Sequence, residues 1–258
     1  MPRHMGKYNP ENCEPYEISR SRVENFVKCP ACFYMKQVEG ISFPSMPGFL
    51  LNEATDVLLK KYFDRYRISQ KTPPFLADKG CEHLIPFQHE NFDLWTQSMH
   101  YGAKGRMHTV VEDLNLKVGG GLDDVWFNGN TRQLHIVDYK STSQKAPDGE
   151  INLEGPYKEA YKRQMDLYIW VLRRMGFDVS DLGYFLYVDG DRFTDTDFIQ
   201  GDSALMEFKC SLIEYETDQS WINHTLVQIR RTLDQPCRPS HSDDCEYGAF
   251  LSEALQTE

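Results

Sequence analysis

The sequence has no apolar run approaching the roughly 20 residues that a membrane-spanning helix needs, and it has no excess of basic residues. Across 258 residues, 28 Lys and Arg face 39 Asp and Glu, a formal net charge of −11, with a pI near 5.2. That sign argues against non-specific nucleic-acid binding, which basic surface drives. It leaves room for an enzyme that reaches nucleic acid through a local basic groove and a bound metal. Residues 1–17 contain no apolar stretch of the kind a signal peptide carries. The expectation is a cytoplasmic protein with no membrane partner. Internal repeats and low-complexity linkers are also missing. Cysteine occurs seven times, an odd number that in a chain without a secretion signal points to reduced thiols or metal ligands, not a disulfide framework.

Aromatics are not scarce. The chain holds 15 Phe, 14 Tyr and 4 Trp within a 40% hydrophobic composition, which excludes a disordered chain and suffices for one sizeable core. Ser21-Arg22-Val23-Glu24 fits a capping box ahead of a helix with Val23, Phe26 and Val27 apolar. Helical spacing continues over 50–67 and is expected over 92–111, with the proline-bearing stretch 70–90 between them read as loop. The middle of the chain changes character. Residues 122–127 and 133–139 read as two strands joined at Asn128-Gly129-Asn130, a hairpin signal. A helix over 155–175, strands over 183–189 and 204–215, and a helix over 220–233 follow. The order predicts an α/β fold with a central mixed sheet flanked by helices.

The chemistry concentrates in Gly-Gly-Gly-Leu-Asp-Asp through Val-Asp-Tyr-Lys-Ser-Thr, residues 119–142. Asp138 and Lys140 lie two apart on one strand and so share a face. Asp123, on the paired strand, can join them, whereas its neighbour Asp124 faces the other way. Two carboxylates and an ammonium at one sheet end suit a hard divalent cation, which takes oxygen ligands, and a phosphate beside it. A same-face ion pair at a strand end would leave the same triplet. Downstream, Tyr161, Gln164 and Tyr168 share one helix face, and Lys158 and Lys162 are i, i+4, spaced to meet phosphates or to form a solvated edge.

Gly120, Asp123, Asp138, Tyr139 and Lys140, followed by Gln164 and Tyr168 and preceded by Ser19-Arg20-Ser21 and Cys29-Pro30-Ala31-Cys32-Phe33-Tyr34, resemble the RecB-like branch of the PD-(D/E)XK nucleases. The resemblance implies a restriction-endonuclease-like core and a single domain over 1–258. Within it would lie an N-terminal helical part (18–110), a nuclease core (111–215) and a C-terminal helix and cysteine segment (216–258), the outer parts forming a side lobe. It implies a metal-dependent deoxyribonuclease using Mg²⁺ or Mn²⁺ to cleave DNA, with partner proteins of a DNA-processing complex. Asp123, Asp138 and the Tyr139 carbonyl would ligate the metal, and Lys140 would position or activate the attacking water. Gln164 and Tyr168 would contact substrate or brace the site. Lys158, Lys162 and Arg163 are the candidates for phosphate contacts.

Three positions depart from the pattern. No histidine occurs in the second helix, where Asp56 is the nearest substitute ligand. Asp124 stands where relatives often have Arg. Gly248 stands where a second cysteine would follow Cys245. Cys29, Cys32, Cys237 and Cys245 could still make a four-thiolate set for zinc or an iron–sulfur cluster. His83, His89, His100 and His108 show no ligand spacing. These departures keep two further functions in view: a catalytically silent homologue serving nucleic-acid binding or assembly, and a cysteine-based metal-binding structural protein.

Overall fold

The computed structural model describes residues 7–43, 48–99, 102–144 and 149–255. In chain order its elements are β1 (Tyr16–Ser19), α1 (Arg20–Lys28), α2 (Pro30–Tyr34), α3 (Leu50–Ser69), α4 (Pro74–Asp78), β2 (Leu84–Pro86), α5 (Phe92–Trp95), β3 (His108–Val111), β4 (Leu116–Gly119), β5 (Asp124–Asn128), β6 (Leu134–Thr142), α6 (Pro156–Arg174), β7 (Leu182–Gly190), β8 (Ile199–Gln200), β9 (Ser203–Ala204), β10 (Phe208–Glu216), α7 (Ser220–Leu233) and α8 (Glu246–Leu255). The protein is a mixed α/β fold. Its central sheet runs β10-β7-β6-β5-β2, with β6 and β7 parallel and the other neighbours antiparallel. A smaller sheet, β1-β4-β3, lies beside it.

Alternation along β5, β6 and β7 divides the core between two faces. Val125, Ile136, Phe185 and Tyr187 pack with Met165, Leu167 and Tyr168 of α6 and with α7. Trp126, Val137, Tyr139, Tyr184 and Leu186 pack with Phe63 of α3 and Leu76 of α4. Burial on both faces explains why the first half of β6 is largely apolar, with His135 the buried polar exception. Helix α6 begins at Pro156, suited to a first helical turn, after Gly155 at φ 101°, a left-handed angle that favours glycine.

Several expected elements shift. The capping box anticipated at Ser21 is not formed: α1 starts at Arg20 with Ser19 as its cap residue, and no side-chain cap bond is made. The stretch 70–90 is not all loop, because Leu84–Pro86 pairs with β5 as an edge strand, a position that tolerates proline. The helix expected over 92–111 shrinks to one turn at Phe92–Trp95, and His108–Val111 is a strand against β4. Positions 100 and 101, including His100, lie outside the described residues. Gly102 (φ 94°) and Gly105 (φ 72°) break that segment; left-handed glycines end helices. No helix among the described residues is long and apolar enough to cross a membrane.

Candidate active site

The last ladder pair of the β5–β6 hairpin is Asp124 with Val137. One step further, at the open end, stand Asp123 and Asp138. Asp138 is 1% exposed. One of its oxygens accepts a hydrogen bond from Gln164 Nε2 of α6. The other, Oδ2, takes no hydrogen bond among the described residues and lies against the Lys140 ammonium as an ion pair. The same ammonium is 3.3 Å from the Tyr139 carbonyl oxygen. Asp123 Oδ2 accepts the backbone N–H of Tyr139 at 2.9 Å. The carboxylates, carbonyl and ammonium singled out in the sequence therefore meet at one corner.

That corner is electrostatically tense. Burial, and then the charge of Asp138, push the Asp123 carboxyl up to about 7, while Lys140, Lys60 and the Tyr139 N–H pull it down. About a quarter of the Asp123 side chain still meets solvent (23%), so the protein desolvates the group while leaving it reachable. A buried carboxylate is costly even with one ammonium against it, and a second carboxylate alongside adds repulsion. Both features fit a site for a divalent cation. The donors, two carboxylates and a carbonyl, are hard oxygens suited to Mg²⁺ or Mn²⁺.

Helix α6 and the glycine turn frame the site. Tyr168 donates to the Gly121 carbonyl at 2.7 Å, and a Cβ on Gly120 would come within 2.7 Å of its ring. Glycine at 120 is thus required by close approach of the ring, not by backbone angle. Burial raises the Tyr168 hydroxyl to about 12 against the influence of Arg20, so it stays a donor. Gln164 and Tyr168 face the carboxylates, one holding Asp138 and the other the turn before Asp123.

The basic residues divide. Lys158 donates to the Tyr187 hydroxyl at 2.8 Å and sits 4.6 Å from that ring's centre; Lys140 sits 4.6 Å from the Tyr161 ring. Burial and the charge of Lys140 lower the Lys158 ammonium, which places it in the same electrostatic field. Lys162 turns to Glu159 at 2.8 Å. Arg163, expected to meet phosphate, instead makes two 2.9 Å bonds to Glu24 of α1. Glu24 is buried, and its carboxylate needs a partner there. Asp56 of α3 is bound by Lys60 at 2.8 Å, and Lys60 stands 3.9 Å from Asp123 Oδ1. Lys60 was missed in the sequence; its i, i+4 spacing from Asp56 was the available signal.

Asp124 points to the opposite face, as alternation requires. It is fully buried and pairs with Arg67. It also accepts from Trp126 Nε1 at 3.0 Å and Tyr139 OH at 2.6 Å. It is a structural hub beneath the site.

The cysteines gather elsewhere, with one exchange. Cys29, Cys32 and Cys245 come together with His241, not with Cys237. Cys237 is exposed and lies outside this set. His241 was overlooked, though it stands four residues before Cys245. Burial opposes ionisation of Cys29, but bonds from the Cys32 and Ser242 backbones and from the neighbouring thiols bring it down to about 6.

The chain matches the family model of the PD-(D/E)XK nuclease superfamily over residues 50–252. That stretch contains every candidate catalytic residue and excludes Cys29 and Cys32. No curated protein matches the sequence.

Proposed function

Because the chain belongs to the PD-(D/E)XK nuclease superfamily, we propose that it is a metal-dependent deoxyribonuclease of the RecB-like branch, using Mg²⁺ or Mn²⁺ to hydrolyse DNA phosphodiester bonds. The observation that carries this is Asp138 Oδ2, a buried carboxylate oxygen with an ammonium against it, no hydrogen bond among the described residues, and Asp123 across the ladder. Asp123, Asp138 and the Tyr139 carbonyl would hold the cation. It would supply water activation and charge neutralisation. Lys140, within reach of Asp138 and the Tyr139 carbonyl, offsets charge that builds on the reacting phosphate. Gln164 holds one oxygen of the Asp138 carboxyl, leaving the other, now against Lys140, to face the cation. Lys158, beside Lys140, is the best-placed basic group for a neighbouring phosphate. Asp56 would approach the cation only if Lys60 moved aside.

The direct test is cleavage of single- and double-stranded DNA in Mn²⁺ and Mg²⁺ by the wild type and by Lys140→Ala. Wild-type cleavage that is strongly reduced in the variant supports the proposal. A second reading is a catalytically silent homologue used for nucleic-acid binding or assembly. It is favoured by Lys60, whose ammonium already partners Asp56 beside Asp123, and by the commitment of Arg163 to Glu24. An intact, folded wild type that cuts neither DNA nor RNA would establish it.

Gln164→Ala should weaken Mn²⁺ binding about 10–100-fold, the usual effect of losing an outer partner of a metal ligand. Isothermal titration measures this, and unchanged affinity would remove Gln164 from the site. A second expectation follows from Asp123. With its carboxyl near 7, protons compete with the metal below that pH. Apparent Mn²⁺ affinity should fall by about tenfold per unit as pH drops from 7 to 6, the slope for one displaced proton, and flatten above 7. Without metal the sign reverses. The folded chain holds the proton more tightly than the unfolded chain, so metal-free stability declines as pH rises from the ordinary carboxylate range towards 7. A pH-independent affinity would show that Asp123 does not bind the ion.

A further inference from the structure

We propose that Cys29, Cys32, His241 and Cys245 bind one zinc ion tetrahedrally, clasping the C-terminal segment to the N-terminal helices, and that no iron–sulfur cluster occupies this place. The four donor atoms lie within 4.8 Å of one another. His241 Nδ1 is 3.4, 3.6 and 3.5 Å from the sulfurs of Cys29, Cys32 and Cys245. With Zn–S near 2.3 Å and Zn–N near 2.0–2.1 Å, tetrahedral angles place sulfur and nitrogen about 3.5–3.6 Å apart and sulfurs about 3.8 Å apart. The nitrogen distances meet that figure. Cys32 and Cys245 sulfurs, at 3.4 Å, need to separate by only a few tenths of an ångström.

A four-iron cluster fits less well on two counts. It usually takes four thiolates, and here the fourth donor is an imidazole, with Cys237 exposed outside the set. Its cage also holds ligand sulfurs much farther apart than a single ion does. The spacings, Cys-x-x-Cys at 29–32 and His-x-x-x-Cys at 241–245, are those of structural zinc sites. Gly248 fits the same arrangement. Its N–H donates to Cys245 Sγ at 3.3 Å, and a Cβ there would lie 2.7 Å from the His241 side chain. A cysteine at 248 and an inward His241 are therefore sterically opposed, and this chain has the histidine.

The clasp has work to do. Helix α8 buries none of its residues. Among the described residues, contacts around it include Arg238 on Glu39 at 2.8 Å, a Tyr34 bond to the Gln235 carbonyl at 3.1 Å and Tyr247 stacked on Phe43. A single ion joining positions more than 200 residues apart in sequence would stabilise the lobe by binding only the folded chain.

The experiment is elemental analysis of the full-length chain, purified under reducing conditions without chelator. One zinc per chain and no iron are expected. Exchange with cobalt(II) should give the visible bands of a tetrahedral thiolate site. His241→Cys should keep the ion, whereas His241→Ala and Cys245→Ser should weaken binding beyond the roughly 10–100-fold that an outer partner is worth. Asp138→Ala should retain full zinc content, separating this ion from the catalytic one whether or not the chain cuts DNA. Several iron atoms per chain with cluster absorption, zinc that persists in both His241→Ala and Cys245→Ser, a Cys32–Cys245 disulfide revealed by two missing thiols, or a metal-free wild type would each overturn the proposal.

Discussion

Asp138→Ala should reduce cleavage below detection and abolish divalent-metal binding, whereas Lys140→Ala should cut the rate on the order of 10²–10³-fold and leave the metal bound. The difference lies in which atom each substitution removes. On the proposed roles, Asp138 would supply a buried carboxylate oxygen to the cation, so its loss would remove a ligand and with it the source of water activation. Lys140 would supply charge for the transition state, and its loss would be about the size measured for a single preorganised donor. The metal-free proteins should also differ. Removing Lys140 strips the ion-pair partner from Asp138, leaving a buried charge uncompensated. Added Mn²⁺ should therefore raise the melting temperature of Lys140→Ala more than that of the wild type. Equal metal affinity in the two variants, measured by calorimetry, would refute this division of roles.

The second large effect lies on the opposite face of the same strands. Arg67→Ala should destabilise the fold by about 3–5 kcal/mol, the range for breaking a buried charge pair. Its guanidinium bonds Asp124 and the Phe87 carbonyl and stacks 3.7 Å from the Phe92 ring centre. Asp124 would be left fully buried with only the neutral donors of Val125, Trp126 and Tyr139. The active site should suffer with it, because Tyr139 bonds Asp124 through its hydroxyl and Asp123 through its N–H. Urea unfolding reads the loss. The double variant Arg67→Met with Asp124→Leu should lose less than Arg67→Ala alone, since apolar pairs replace buried ion pairs at little cost. A double variant as unstable as the single would mean that packing around Phe92, not charge, is what Arg67 provides.

The hairpin carrying Asp123, Asp138 and Lys140 was legible because its information is local. A two-residue period, a turn signal and a D-x-K triplet fix which side chains share a face without reference to the rest of the chain. Helix α6 was legible for the same reason, and with it the common face of Gln164 and Tyr168. The edge strand Leu84–Pro86 and the strand His108–Val111 were not, because each is short and exists only by pairing with β5 or β4. Tertiary partners override weak local preference there.

The sequence by itself determined the α/β order, the paired carboxylates with their lysine, and the shared face of Asp138 and Lys140, since strand alternation leaves no other choice there; Asp123, expected on the paired strand, stands in the bend just before β5. Only the tertiary structure decided which charges are spent. It committed Arg163 to a buried Glu24 and Asp124 to Arg67, set Lys60 between Asp56 and Asp123, and brought His241 rather than Cys237 to the three cysteines. Each of these depends on which distant groups burial forces together. A charge withdrawn from water takes whatever partner packing supplies, and sequence spacing does not encode that partner.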